Sequence, residues 1–100
     1  MIKHIVMWKL KQHAEGADLA ANARAMKEKL DSCADLVPGI LAFEVALAQD
    51  GLEATYDVVL YAEFASKEAL AAYATHPQHL AIKPFIGAVQ QARQCMDFHI

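Results

Sequence analysis

The sequence predicts a single α+β domain with the element order β-α-β-β-α-β, and three observations predict it. Four segments alternate, or run apolar, over the length of a strand. Two segments repeat apolar residues at helical spacing. Turn chemistry (Pro38-Gly39, Gln49-Asp50-Gly51) falls between them. The 100 residues make one domain, residues 1–100, and a 56% hydrophobic content with few Gly or Pro excludes a disordered or collagen-like chain.

Ile2 to Lys11 reads as the first strand. Ile2, His4, Val6, Trp8 and Leu10 share one face; Lys3, Ile5, Met7, Lys9 and Lys11 share the other, charged at its ends and apolar at its centre. Ala17 to Ala34 reads as a helix whose stripe is Leu19, Ala23, Met26, Leu30 and Cys33, and Pro38-Gly39 breaks the chain after it. Ile40 to Ala48 is the second strand, with Leu41, Phe43, Val45 and Leu47 on one face and Ile40, Ala42, Glu44 and Ala46 on the other. A loose hairpin leads to Tyr56–Phe64, where Tyr56, Val58, Leu60, Ala62 and Phe64 oppose Asp57, Val59, Tyr61 and Glu63. Ser66 is a good N-cap for a second helix with Leu70, Tyr73 and Ala74 on its inner stripe, and Pro77 ends that helix by Thr75. A short helical turn over Gln78 to Ile82 and a loop punctuated by Pro84 and Gly87 follow. Val89 to Phe98 is the last strand; Gln90, Gln91, Arg93 and Gln94 near its start suit a sheet edge or the wall of a polar cavity.

This order is the split βαβ, ferredoxin-like arrangement, in which two helices cover one face of a four-stranded sheet. The other face should alternate to polar in a solitary domain. Here it keeps Ile5, Met7, Val59 and Tyr61, or their opposite-parity neighbours. An apolar sheet face of that size marks an interaction surface, and two such faces closing on each other predict a homodimer. The net charge of −3 with scattered Lys and Arg leaves no footprint for nucleic acid. No apolar run reaches the ~18 residues of a membrane span, and the N-terminus does not read as a signal peptide. Cys33 and Cys95 fit no metal or redox spacing and read as free thiols, so a cytoplasmic location is expected.

The densest polar constellation is Tyr73-Ala74-Thr75-His76-Pro77-Gln78-His79. Histidine passes protons near neutral pH, and a phenol donates to a developing oxyanion. Tyr73 and His79 can converge on one pocket if the Pro77 turn folds the chain back. The bland alternatives are a core tyrosine with its hydroxyl satisfied and histidines that cap a helix. His76 and His79, three apart, with His4 as a third, fall short of a metal ligand set, so no metal is expected. His4 shares its strand face with Val6 and Trp8 and points either into the same pocket or into a packed core. Asp57, Glu63 and Asp97 lie near strand ends and read as solvated; Glu44, between Ala42 and Ala46 in parity, reads as partly buried.

The opening Ile2-Lys3-His4-Ile5-Val6-Met7-Trp8-Lys9-Leu10-Lys11, the Tyr73…His76-Pro77-Gln78-His79 segment and the ending Met96-Asp97-Phe98 together resemble the stress-responsive dimeric A/B barrel family across almost the whole chain. The resemblance implies a ferredoxin-like fold and a homodimer whose sheets form an α/β barrel. In a plant polyketide cyclase of that family the histidine closing the His-Pro-x-His segment is the base, and the tyrosine six residues before it assists. His79 and Tyr73 match those positions; His4 and His76 match pocket histidines. The small residues Ala69, Ala71, Ala72 and Ala74 reshape the wall, so the resemblance implies no shared substrate. Two functions follow. One is cofactor-free acid–base chemistry (cyclase, isomerase or lyase type) on a small, largely apolar carbonyl compound. The other is a non-catalytic stress-response or small-ligand-binding protein.

Overall fold

A computed structural model describes residues 1–100. Its elements are β1 (Ile2–Leu10), β2 (His13–Ala14), β3 (Ala17–Asp18), α1 (Leu19–Asp31), β4 (Ile40–Leu47), β5 (Val58–Phe64), α2 (Lys67–Thr75), α3 (Pro77–Val89) and β6 (Gln90–His99). The four long strands form an antiparallel sheet in the order β4-β5-β1-β6, the ferredoxin-like arrangement expected. All three helices lie on one side. The core there joins Val6, Trp8 and Leu10 of β1 and Val58, Leu60 and Phe64 of β5 to Met26 and Leu30 of α1, Tyr73 of α2, and Ile86 and Val89 of α3.

The first helix starts later than its periodicity predicts because a small hairpin precedes it. Glu15 (φ 50) and Gly16 (φ 75) take left-handed geometry in a two-residue turn that pairs His13 with Asp18 and Ala14 with Ala17. Glutamate rarely opens such a turn, so the signal was faint. Asp18 then caps α1, its carboxylate accepting from the Ala21 N–H at 2.9 Å. Asn22, buried on α1, donates to the Ala14 carbonyl at 2.9 Å and ties the hairpin to the helix. Gly39 (φ 92) ends the next connection; a Cβ there would stand 3.0 Å from that of Ala69, so the turn needs glycine for conformation and for space.

Three expectations are corrected. Pro77–Val89 is a continuous helix, not a turn followed by a loop. Pro77 occupies the first turn, where its missing N–H costs nothing. Pro84 cannot donate to the Leu80 carbonyl, but Leu80 is exposed, and burial of Ile86 and Val89, two and five residues further on, outweighs the lost bond. A register shift between Ile40 and Ala42 turns Ile40 and Phe43 inward together, leaving Leu41 58% exposed rather than on the buried face. Glu44, opposite Tyr61, is exposed on the helix-free face rather than partly buried.

That helix-free face carries Ile5, Met7, Val59 and Tyr61, the parity named first, together with Met96 beside Ile5. Met7 is 38% and Met96 65% exposed. No helix is long and apolar enough to cross a membrane.

Candidate functional site

The helices cover β4, β5 and β1 but not the inner side of β6, where Arg93, Cys95, Asp97 and His99 are all exposed. A cavity of about 440 Å3 opens in that gap, between α2 and α3 on one side and β1 and β6 on the other. It falls within the range of small-ligand sites. His4, Val6 and Trp8 line it from β1, and Tyr73 and Ala74 from α2. His79, Lys83 and Gly87 stand one turn apart along α3, so one stripe of that helix forms a wall. Gln90 and Arg93 close the cavity from β6. A bulge opposite Lys9 and Leu10 makes Gln90, not Gln91, the partner of Leu10 on the inner side.

Three of the four site residues read from the sequence meet here. The His79 ring packs against Tyr73 with centroids 4.6 Å apart. Its Nδ1 lies 3.0 Å from the Ala74 carbonyl oxygen, in the last turn of α2, where carbonyls lack helical partners. A carbonyl only accepts, so Nδ1 carries the proton and Nε2 keeps its lone pair. Burial holds the imidazole below its ordinary pKa; the Ala74 bond opposes that, and the charges of Lys83, His4 and Arg93 add to it. His79 is therefore a neutral base at neutral pH.

Tyr73 is 1% exposed, wedged between Phe64 and Phe43 at ring separations of 5.3 and 5.9 Å. Its hydroxyl finds no hydrogen-bond partner in the protein, unlike that of an ordinary core tyrosine. Burial, with the Cys33 thiol adding to it, pushes the phenol well above its ordinary pKa, so it stays a donor.

His4 also lines the cavity, and its Nδ1 contacts Asp97 Oδ1 at 2.5 Å. The two are direct cross-strand partners in the β1–β6 ladder. Asp97, though solvent-exposed as expected, is thus also engaged by a side chain. Asp57, which accepts from the Leu10 N–H at 2.8 Å, and Glu63, which accepts from the Tyr61 hydroxyl at 2.5 Å, are engaged rather than solvated. His76 does not line the cavity. It sits between α2 and α3, and its Nδ1 accepts from the Gln78 N–H at 3.1 Å as the N-cap of α3. No three His, Cys, Asp or Glu side chains stand together as a metal site.

The sequence reading missed Lys83, and Trp8 as more than a face neighbour of His4. The Trp8 indole N–H is buried without an acceptor, the only other such side-chain atom besides the Tyr73 hydroxyl. Lys83 was recoverable: it stands four residues after His79, on one face once α3 is known to continue. A second cleft of about 630 Å3 adjoins the first, sharing Leu70 and Ala74. A third of about 450 Å3 lies under the Ala48–Asp57 connection, at the edge of the helix-free face, and holds no histidine.

A four-stranded antiparallel sheet covered by helices on one side places the chain in the ferredoxin-like class of small α+β proteins. Within it, the chain belongs to the stress responsive A/B barrel domain family, which it matches over residues 2–100. It is similar to a dimeric protein of unknown function with a ferredoxin-like fold from Bacteroides fragilis: 27% identity, covering 99% of this chain and 95% of that one, TM-score 0.80. It is also similar in fold to a dimeric ferredoxin-like protein of unknown function from Thermobifida fusca (17% identity, 99% and 90% covered, TM-score 0.83). A Dabb family protein from Mesorhizobium loti matches at 23% identity, 99% and 95% covered, TM-score 0.72. No curated protein matches the chain.

Proposed function

We propose that this protein is a homodimeric, cofactor-free acid–base catalyst acting on a small carbonyl compound, with His79 as base and Tyr73 as donor to the oxyanion. One observation carries the reading: the Nδ1 bond to Ala74 leaves the lone pair on Nε2, in a ring packed against a phenol that lacks a partner. Nε2 takes a proton from the carbon next to the carbonyl; the C–H electron pair becomes the new C=C bond and the C=O π pair moves onto the oxygen. Tyr73 donates to that developing enolate. The enolate then takes the proton from Nε2 at another carbon (isomerase), expels a leaving group that takes it (lyase), or attacks a second carbonyl of the same molecule, forming a C–C bond and an alkoxide that takes it (aldol cyclase). The His4–Asp97 pair holds the His4 ring at the cavity wall. The dimer is supported by the apolar helix-free face and by the dimeric Bacteroides fragilis protein. Two free thiols, Cys33 and Cys95, suit a cytoplasmic setting.

A second reading has its own observation. His76 and His79 both bond backbone groups at the α2–α3 junction, which suits a structural role in a non-catalytic binding protein. Deuterium exchange at the α-carbon of a small ketone, followed by NMR, separates the two with His79→Asn, which can still donate to Ala74 but is no base. Exchange lost with the melting temperature kept supports catalysis. Exchange unchanged from wild type refutes it.

A further inference from the structure

We infer that the substrate carries a carboxylate, received by Lys83 and Arg93 on the α3–β6 side of the cavity while its carbonyl lies against Tyr73 and His79. This rests on the acid–base reading and adds the substrate class. The chain is acidic, with 12 Asp and Glu against 9 Lys and Arg, yet no Asp or Glu lines the cavity, whereas Lys83 and Arg93 do. Neither cation has a carboxylate within reach: the ion pairs are His4–Asp97 and Lys27–Asp31. Arg93 contacts only the Cys95 sulfur, at 3.4 Å, which leaves most of its five donors unused. The two arrive from different elements. Lys83 stands one turn beyond His79 on α3, and Arg93 is the cross-strand partner of Trp8. Trp8 lines that wall, and its buried indole N–H has no acceptor in the protein.

The arrangement couples binding to base strength. Lys83 and Arg93 both disfavour protonated His79. A bound carboxylate neutralises them, so His79 becomes the stronger base once the correct substrate is seated. A neutral ketone of the same shape leaves both charges in place.

The test uses benzoylpropionate and its primary amide on the full-length protein, with affinities from calorimetry and Trp8, the only tryptophan, as fluorescent reporter. The carboxylate is expected to bind at least about tenfold tighter than the amide, as charge-assisted bonds require. The preference should vanish in Lys83→Met/Arg93→Met. NMR titration of the His79 ring should show its pKa rising when the carboxylate binds and not when the amide does. Equal affinities in wild type, no binding of either compound, or a preference that survives the double variant would overturn the assignment. So would displacement of the carboxylate by inorganic phosphate at lower concentration, which points to a phosphorylated ligand. The His79→Asn variant keeps failures apart: a carboxylate preference retained with no exchange defect sinks the acid–base reading and leaves the anion site standing.

Discussion

A buried hydroxyl without a partner is a cost to the folded state of about 1–3 kcal/mol unless something outside the protein uses it. At Tyr73 the ring earns its place by packing among Phe43, Phe64 and His79, and the oxygen contributes nothing to that packing. Tyr73→Phe should therefore leave stability unchanged or raise it by up to about 2 kcal/mol in urea denaturation, while slowing α-carbon exchange at least tenfold. A purely structural tyrosine would show the opposite pairing. On the acid–base reading, His79 sets the acid limb. Its folded pKa lies below the ordinary 6.5, so the base form persists at neutral pH and activity is lost only as pH falls through that lowered value. Stability follows the same sign. Above about 6.5 both states hold a neutral ring and His79 adds no slope; as pH falls, the unfolded chain takes up the proton first and stability drops until the folded value is passed. Melting temperatures across this window should fall less steeply in His79→Asn than in wild type.

At the scale of elements, α3 decides what the cavity is. His79, Lys83 and Gly87 form one stripe, and Gly87 faces open space where a Cβ would meet no atom within 4 Å. A glycine in a helix interior costs about 1 kcal/mol relative to alanine. Gly87→Ala should thus raise stability by about 0.5–1 kcal/mol, and Gly87→Leu should block ligand binding without unfolding the chain; thermal shift with and without ligand checks both. Tyr73, His76 and His79 were legible in the sequence because they fall within one seven-residue segment and local chemistry marks them. Lys83 was hidden because Pro84 reads as a helix breaker, and only the tertiary burial of Ile86 and Val89 overrides that rule. The His4–Asp97 pair and the inward turn of Gln90 depend on the β1–β6 register and its bulge, which join residues 80 to 93 positions apart and leave no local trace. The strands themselves were readable from alternation, although the register shift after Ile40 reversed the parity assigned to Leu41.

For the whole molecule, the sheet separates two surfaces that share β1. One side of that strand sends His4, Val6 and Trp8 to the cavity; the other sends Ile5 and Met7 to the helix-free face, where Val59 of β5 stands beside Met7. If two copies close through this face, a charge at its centre must break the assembly without touching the site. Val59→Lys should turn a dimer at micromolar concentration into a monomer in sedimentation, because an unpaired ammonium would be buried between apolar sheets. Wild-type melting temperature should rise with protein concentration, as mass action on a dimer requires, and that dependence should disappear in the variant. The cleft under the Ala48–Asp57 connection borders the same face and includes Met7 and Val59, so its exposure to solvent should track the dimer rather than any ligand of His79. The monomeric variant should still bind a carboxylate at Lys83 and Arg93, whose cavity lies wholly on the helix side; loss of that binding along with the dimer would mean that the partner copy shapes the site through the sheet.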